Sequence, residues 1–514
     1  MTIHLSIVLF MPLAAALVGA LLLPQQVMRW LVFAATLGVL AYVVVMLADF
    51  DSGSRGLQYV TDDSWIPELG IRYQLGVDGL NLFLIALTAI AWVPCTLWSV
   101  FREHERPKLY FFNLALAETA VLGSFMAQDL ALFVVFFDLM LVPFYFLIGG
   151  WGTGDRVRAT TKFVIYTLAG SLLMLAGAVA LGALSTPDGG QISFSIAELT
   201  RRSTSSGTQE WIVLLFAAAF FVKAPLFPLH GWIPETYRST PLPVLALLSG
   251  VLSKVGVYGF LRIVLPTMPQ GAQHFQELFI VVAVFSILYG SALAFSQDNV
   301  RLVVAYSSIA QLGFITLGIF SLDPKGAQGA VIQMVNHGLV VVPLFLIIGV
   351  IASRARGSES LSELGGIAFR APVLATLFVI VSFATLAMPG SPNFVGEILI
   401  LFGAFENKLA YGLVASAGVV LAAVYMIRFF QRTMHNRPGP AVESRDVDRL
   451  DFAAIAPLVA VIVALGLYPQ FVLHRSDKAT TARISAAQQV QSPVASRQSP
   501  GTRPVMVLKD VPKP

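Results

Sequence analysis

Cysteine is all but missing: Cys95 is the only one among 514 residues, and it lies in an apolar stretch. That excludes an intrachain disulfide, a four-cysteine iron–sulfur site and any Cys-x-x-Cys redox motif. Electrons, if they power this protein, travel on other chains. Charge is scarce as well. Charged residues make up 12% of the chain against 56% hydrophobic, and the mean hydropathy is +0.77; that balance is foreign to soluble domains and indicates a polytopic membrane protein. The net charge of +4 and pI near 9.1 come without a basic run or a basic-aromatic patch. Nucleic acid is therefore not implied, and the positive charge in short loops and the tail is what topology asks for. Gly149, Gly150, Gly152 and Gly154 join two apolar runs with no strand before them, so they make no phosphate loop. No His or Cys spacing suits a transition metal, and no Ser-His-Asp motif suits hydrolysis. The start, Met-Thr-Ile-His, lacks Lys and Arg and leads into a run long enough to span, so it reads as a retained helix rather than a signal peptide.

What fills the chain is long apolar runs. At about 20 residues per crossing, fourteen candidate spans follow, from 3–23 and 30–48 to 409–431 and 451–473. The expected fold is all-α and polytopic, with about fourteen transmembrane helices. Two spans look broken: the seventh (211–229) at Lys223-Ala224-Pro225-Leu226-Phe227-Pro228, and the twelfth (371–403) at Met388-Pro389-Gly390-Ser391-Pro392. Each proline lacks an amide donor and clashes with the carbonyl four residues back, which predicts opened helix with carbonyls free for a cation or water. With the N-terminus outside, loops after odd-numbered spans hold seventeen Lys and Arg and the opposite loops six, or seven with Arg262; both termini are then outward. Five units follow: N-terminal helices with an acidic outer linker (1–108), two five-helix sets (109–264 and 265–431), a loop and last helix (432–473), and a Ser-, Gln- and Pro-rich basic tail (474–514) expected to be disordered or surface-lying. The two sets echo each other. Asp138 to Lys223 is 85 positions and Gln311 to Glu397 is 86, while Lys223 to Lys254 and Glu397 to Arg428 are both 31. With five helices per set, the second begins on the opposite side, so the repeat is inverted.

Ionisable residues inside apolar runs are the chemical signal. At mid-membrane each costs about 2.5 to 3.5 kcal/mol even on the lenient insertion scale, so they face an interior or a wet path and mark ion or proton traffic. Lys223 stands at the first break. A buried amine holds its proton less tightly, and an acidic neighbour restores it, so moving that neighbour makes a proton switch. Asp138, in Phe136-Phe137-Asp138-Leu139-Met140-Leu141-Val142-Pro143, is the natural partner, because Pro143 frees the Leu139 carbonyl beside it. Lys254 is mid-span among Ser253, Gly256 and Gly259, and Glu397 follows the second break. Asp138, Lys223, Lys254 and Glu397 are the candidate proton-transfer residues. Glu118, His230 at the inner end of span seven, His337, after Gln333 and Asn336 on an apolar helix, and Gln311 are possible relays.

At these residues the chain resembles the antiporter-like membrane subunits of respiratory complex I and their relatives in Mrp-type cation/proton antiporters and membrane-bound hydrogenases. The resemblance rests on Phe-Phe-Asp-Leu-Met-Leu-Val-Pro-Phe-Tyr-Phe-Leu-Ile (136–148), Val-Lys-Ala-Pro-Leu-Phe-Pro-Leu-His-Gly-Trp-Ile-Pro-Glu (222–235), Ser-Lys-Val-Gly-Val-Tyr-Gly-Phe-Leu-Arg (253–262) and Gln-Asp-Asn-Val-Arg-Leu-Val-Val-Ala-Tyr-Ser-Ser (297–308), and spans about residues 70–470. Gly-Ala-Val-Ile-Gln-Met-Val-Asn-His-Gly (329–338) and Met-Pro-Gly-Ser-Pro-Asn-Phe-Val-Gly-Glu (388–397) resemble the family member with Glu in its twelfth helix where the others have Lys. The resemblance implies a subunit without cofactor or redox chemistry in a proton-pumping NADH:quinone oxidoreductase of a bacterial cell membrane. NADH, flavin, iron–sulfur clusters and quinone would sit on partner subunits, with chain L-like and chain N-like neighbours on either side. Protons would pass from the cytoplasmic side to Lys223 beside the channel carboxylate Asp138, through Lys254 and His337, and out by Glu397. An Mrp-type antiporter or membrane-bound hydrogenase subunit, or a purely structural scaffold, is the alternative. Three positions depart from the family pattern: Asp138 replaces Glu and is one methylene shorter, Gln311 stands where a histidine relay is usual, and Tyr237 follows Pro234-Glu235-Thr236 where a histidine is common.

Overall fold

A computed structural model of the chain describes residues 4–491 apart from 55, 203, 438, 440, 441 and 444. Twelve of its described helices are long and apolar enough to cross a bilayer, from Leu5–Leu22 to Arg449–Leu467. Such helices satisfy every backbone group internally, as the bilayer core demands. Ser206–Lys223 and the pair Pro372–Thr385 and Pro392–Asn407 fall outside that set, being interrupted by polar residues or by a break. Burial is graded across the molecule. The apolar windows of Leu242–Thr267, Val300–Phe320 and Pro324–Arg354 are buried throughout, whereas only a third of the window is buried in Leu5–Leu22, Gln25–Asp49, Leu409–Met434 and Arg449–Leu467. The three central helices carry Lys254, Gln311 and His337, and the outer ones shield them.

Both expected breaks are present. Ser206–Lys223 stops where Pro225 can no longer donate, and the chain resumes as the short helix Ile233–Ser239. The opened carbonyls are not all free, however. Trp232 Nε1 donates to the Val222 carbonyl at 3.0 Å, and the Leu226 amide donates to the Phe221 carbonyl at 3.0 Å. At the second break the expected single span 371–403 is two helices. Gly390 takes φ +93°, and Ser391 caps the second helix by accepting from the Phe394 amide at 3.4 Å.

Further irregularities lie where only two were expected. Span Leu130–Trp151 turns at Met140 between Leu130–Leu139 and Leu141–Trp151, as Pro143 requires. Leu242–Thr267 contains two π-helical turns, Leu248–Leu252 and Phe260–Val264, on either side of Lys254. Wide turns of this kind gather at functional positions.

The acidic linker expected between residues 49 and 78 folds as an antiparallel hairpin, Gln58–Ile66 against Ile71–Val77, with a left-handed Gly70 at the turn. It marks one face of the molecule. Gln128 donates to Gln74 there, and Phe194 to Gly70. Of the two expectations for the tail, disordered or surface-lying, disorder is corrected in its first part, since Gln470–Gln491 is a helix that straps this same face. Lys478 donates to the Gly53 carbonyl, Gln328 to the Leu473 carbonyl and Gln488 to the Leu322 carbonyl. Val472, Ser476, Thr480, Ile484 and Ala487 form its buried stripe, a helical face built of small residues that composition alone does not reveal. Residues 492–514 lie outside the described chain. The opposite face is marked by the Thr153 amide on the Ser239 carbonyl and by Arg301 on the Thr240 carbonyl. The first five-helix set begins there, with Pro107–Met126, and the second begins at the hairpin face with Gln276–Ser296, whose Gln276 reaches the Phe320 carbonyl. The two sets are thus inverted, and the breaks fall in the fourth helix of each.

Candidate functional site

Lys223 is the last residue of its helix and is 2% exposed. Its amine lies 4.5 Å from the centre of the Phe137 ring and 3.5 Å from the Phe137 carbonyl. Asp138, the next residue, sits at the kink before Met140 and beside Ser171. Its Oδ1 is buried without a protein partner, and no ion pair joins it to Lys223. The short Asp138 side chain therefore leaves acid and amine adjacent but unlinked.

Lys254 is fully buried. The preceding π turn leaves the Ser249 carbonyl reachable, and the amine donates to it at 2.7 Å and to Ser253 Oγ at 3.2 Å. Ser249 Oγ in turn meets Ser308 Oγ at 3.3 Å. No carboxylate is among these partners. Across from this turn runs Pro324–Arg354. Gly250 and Gly338 let the two backbones touch, since a Cβ on Gly338 would stand 2.6 Å from the Gly250 carbonyl oxygen. That close approach brings His337 within the electrostatic reach of Lys254. Both imidazole nitrogens of His337 are buried without a protein partner.

Beyond His337 a polar chain continues to the second break. Gln333 donates to Gln311 Oε1 at 2.7 Å, and Gln311 donates to Glu397 Oε1 at 2.8 Å. Glu397 Oε2 is buried and unpartnered, as are both polar atoms of the Asn393 side chain. Asn336 donates to the Pro392 carbonyl at 2.7 Å. Behind Glu397, Tyr425 shares a hydroxyl contact with Ser307 at 2.8 Å. Gln311 thus links the helices that carry Gln333 and Glu397.

Gln333, Asn336 and Asn393 are additions to the expected set. Their signal was readable: 333 lies one turn before both 336 and 337, and 393 one turn before 397.

The remaining expected relays lie apart. His230 Nε2 meets the Tyr289 hydroxyl at 3.3 Å on the irregular stretch after Lys223, with Nδ1 unpartnered. Nearby Glu235 is ion-paired with Lys162 and lies 3.6 Å from Arg158. Partial burial would raise its carboxyl, but these cations hold it below the ordinary value. Tyr237, on the same short helix, is buried against Trp232 and Phe345. Glu118 is buried toward the N-terminal helices, accepting from Thr36 at 3.1 Å, and no described hydrogen bond links it to Asp138 or Lys223. Among the described residues no cluster of three His, Cys, Asp or Glu is placed to hold a metal.

Comparison with known proteins places this geometry. Residues 127–423 match the family described as NADH:quinone oxidoreductase/Mrp antiporter, TM. The chain is 35% identical to NADH-quinone oxidoreductase subunit M of Rhodobacter capsulatus, over 91% of this chain and 94% of that one. It is also 35% identical to the Mycobacterium tuberculosis protein of that name, over 97% and 99%. Among solved structures it is similar to a chain of respiratory complex I from Thermus thermophilus with bound NADH, at TM-score 0.86, 28% identity, 94% of this chain and 100% of that one. A chain of the Mrp complex from Dietzia sp. shares the fold at TM-score 0.81 and 23% identity, over 95% and 100%.

Proposed function

We propose, since this chain belongs to the NADH:quinone oxidoreductase/Mrp antiporter transmembrane family, that it is a proton-translocating membrane subunit of an NADH:quinone oxidoreductase. It is the non-redox part of a translocase: NADH, flavin, iron–sulfur clusters and quinone belong to partner subunits, and chain L-like and chain N-like neighbours flank it. It lies in a bacterial cell membrane with the hairpin face and both termini outward. The set 109–264 serves uptake and the set 265–431 serves release.

One observation carries the reading: a buried amine and a half-buried carboxylate whose Oδ1 is shut from solvent, Lys223 and Asp138, are held side by side without an ion pair. A small helix movement that closes or opens the pair changes the amine's hold on its proton. Uptake runs from the face bearing Glu235 and His230. From Lys223 the proton passes to Lys254 and His337; Gln333 and Gln311 then orient its transfer to Glu397. Moving one charge outward against 100 mV takes about 2.3 kcal/mol, which a swing of about two pKa units in a carrier group supplies.

The purified complex carrying Lys223→Met tests this directly. Proton translocation is expected to fall to the leak level, measured beside electron transfer in the same sample. Normal translocation with normal electron flow would remove Lys223 from the path. The fold shared with the Mrp complex supports a second reading, an ion-gradient-driven antiporter subunit. A purified assembly that oxidises NADH decides against it.

A further inference from the structure

Two openings on the face opposite the hairpin run into each other. A cavity of about 750 Å³ is lined by Arg428, Arg432, Arg437, Gln431, Asn436 and Ser362. Gln431 and Asn436 also line an adjoining crevice of about 580 Å³, which continues between Pro372–Thr385 and Leu409–Met434 past Phe430, Met426, Ile427, Phe383 and Leu386. The crevice follows about 12 Å of helix from Met426 to Met434 and leads from the chain's surface toward mid-membrane. Phe383 is 40% and Ile427 42% exposed along it, so its wall is open to an apolar occupant.

The charge at the mouth is one-sided. Arg428 is anchored, donating to the Phe295 and Gln297 carbonyls and lying over the Phe295 ring. Among the described residues Arg432 and Arg437 take part in no ion pair, and no carboxylate lines the cavity. Asp298, adjacent through Ser362, is already satisfied by the Ser360 and Ser362 hydroxyls and the Ser362 amide. Three guanidinium groups over an apolar crevice ask for an occupant that is anionic at one end and hydrocarbon at the other. A neighbouring helix would fill the crevice and leave the arginines unanswered, whereas a free anion would do the reverse.

We propose that this is a binding site for an anionic glycerophospholipid, its phosphate among Arg428, Arg432 and Arg437 and one acyl chain in the crevice between Phe383 and Ile427. The site is separate from the buried lysine path and does not depend on the transport reading. It ties the inner ends of the twelfth and thirteenth spans to the charge of the surrounding leaflet, where basic pockets between helices meet lipid headgroups.

The test uses the purified full complex and phospholipids carrying a photoreactive group on one acyl chain. The phosphatidylglycerol probe is expected to label peptides containing Phe383 and Ile427, and the phosphatidylcholine probe to label them far less. Arg432→Gln with Arg437→Gln is expected to lower phosphatidylglycerol labelling about twenty-fivefold, at about fivefold per arginine. Excess inorganic phosphate is expected to leave the labelling in place, because it lacks the chain that fills the crevice. Equal labelling by both probes, unchanged labelling in the double variant, displacement by phosphate alone, or cross-links only to another polypeptide would each overturn the proposal. The comparison of the two probes on the unaltered complex stands even if the double variant fails to assemble.

Discussion

Glu397 is gripped at one oxygen only. Oε1 takes the Gln311 amide at 2.8 Å while Oε2 has no protein partner in a buried setting, so the side chain is positioned without being neutralised. Glu397→Gln keeps the shape and can keep an oxygen facing Gln311, but it has no exchangeable acid proton. Proton translocation is expected to drop to the leak level with the subunit still assembled, read by vesicle acidification and by subunit content of the purified complex. The ionisable residues of this path were legible in the sequence because a charge inside an apolar run is costly. The neutral amides Gln333, Asn336 and Asn393 carry a smaller penalty than a charge and so a weaker signal, although the one-turn spacing of Gln333 to His337 and of Asn393 to Glu397 held the information. Asp138 shows the limit of residue-type reasoning: its adjacency to Lys223 was readable, but the missing contact follows from a side-chain length and a kink that only coordinates combine.

The strap helix Gln470–Gln491 is the element least visible beforehand. Its sequence is polar, and its buried stripe is made of Ser, Thr and Ala with a few larger residues, so it lacks the apolar period by which helices are usually recognised. Its anchor is a buried ion cluster. Arg262 donates to both oxygens of Asp78 at 2.7 and 2.8 Å, and Arg483 from the strap reaches Asp78 at 3.4 Å. Burial alone would raise the Asp78 carboxyl, yet Arg262 and then Arg483 hold it down at about 2. The link therefore stands at every pH above about 4 and is lost only as pH falls through about 2. Asp78→Ala leaves Arg262 buried without its partner and is expected to cost about 3–5 kcal/mol. Thermal unfolding of the purified complex and faster proteolysis of the strap would report it.

The helix Leu130–Leu139 offers the opposite sign. Asp129 caps it by accepting from the Leu132 amide at 3.0 Å and also takes the Arg72 amide of the hairpin at 3.3 Å. Burial outweighs these bonds and raises the carboxyl to about 6. Between about pH 4 and 6 the folded chain thus keeps a proton that the unfolded chain has released, so this group's contribution to stability declines as pH rises through that window. Asp129→Asn is expected to flatten the dependence of melting temperature on pH across it.

Over the whole molecule the two halves repeat a pairing rather than a residue pattern. Positions 85 apart place Asp138 beside Lys223, and positions 86 apart place Gln311 in direct contact with Glu397. The equal spacings of 31 do not carry over. Lys254 lies in the buried centre, while Arg428 binds carbonyls near the edge. The inverted architecture was readable from break positions and helix parity. Which polar residues meet in the middle depended on Gly250 and Gly338 bringing two backbones together. Lys254 stands between the halves, so Lys254→Met is expected to stop translocation while leaving the Gln311–Glu397 bond intact. Loss of proton movement without loss of assembly would be seen in the same vesicle assay, and full translocation would move the lateral route elsewhere.

The wide turns flanking Lys254 give its helix a mechanical property of its own. Each residue of an ordinary helix rotates the chain by about 100°, and a π turn stows one extra residue between unchanged flanks. With one surplus residue stored on each side of the lysine, taking up either of them would swivel the amine through about a quarter of a circle, off the Ser249 carbonyl and toward a different wall. The ends of the rod stay still while its middle pivots.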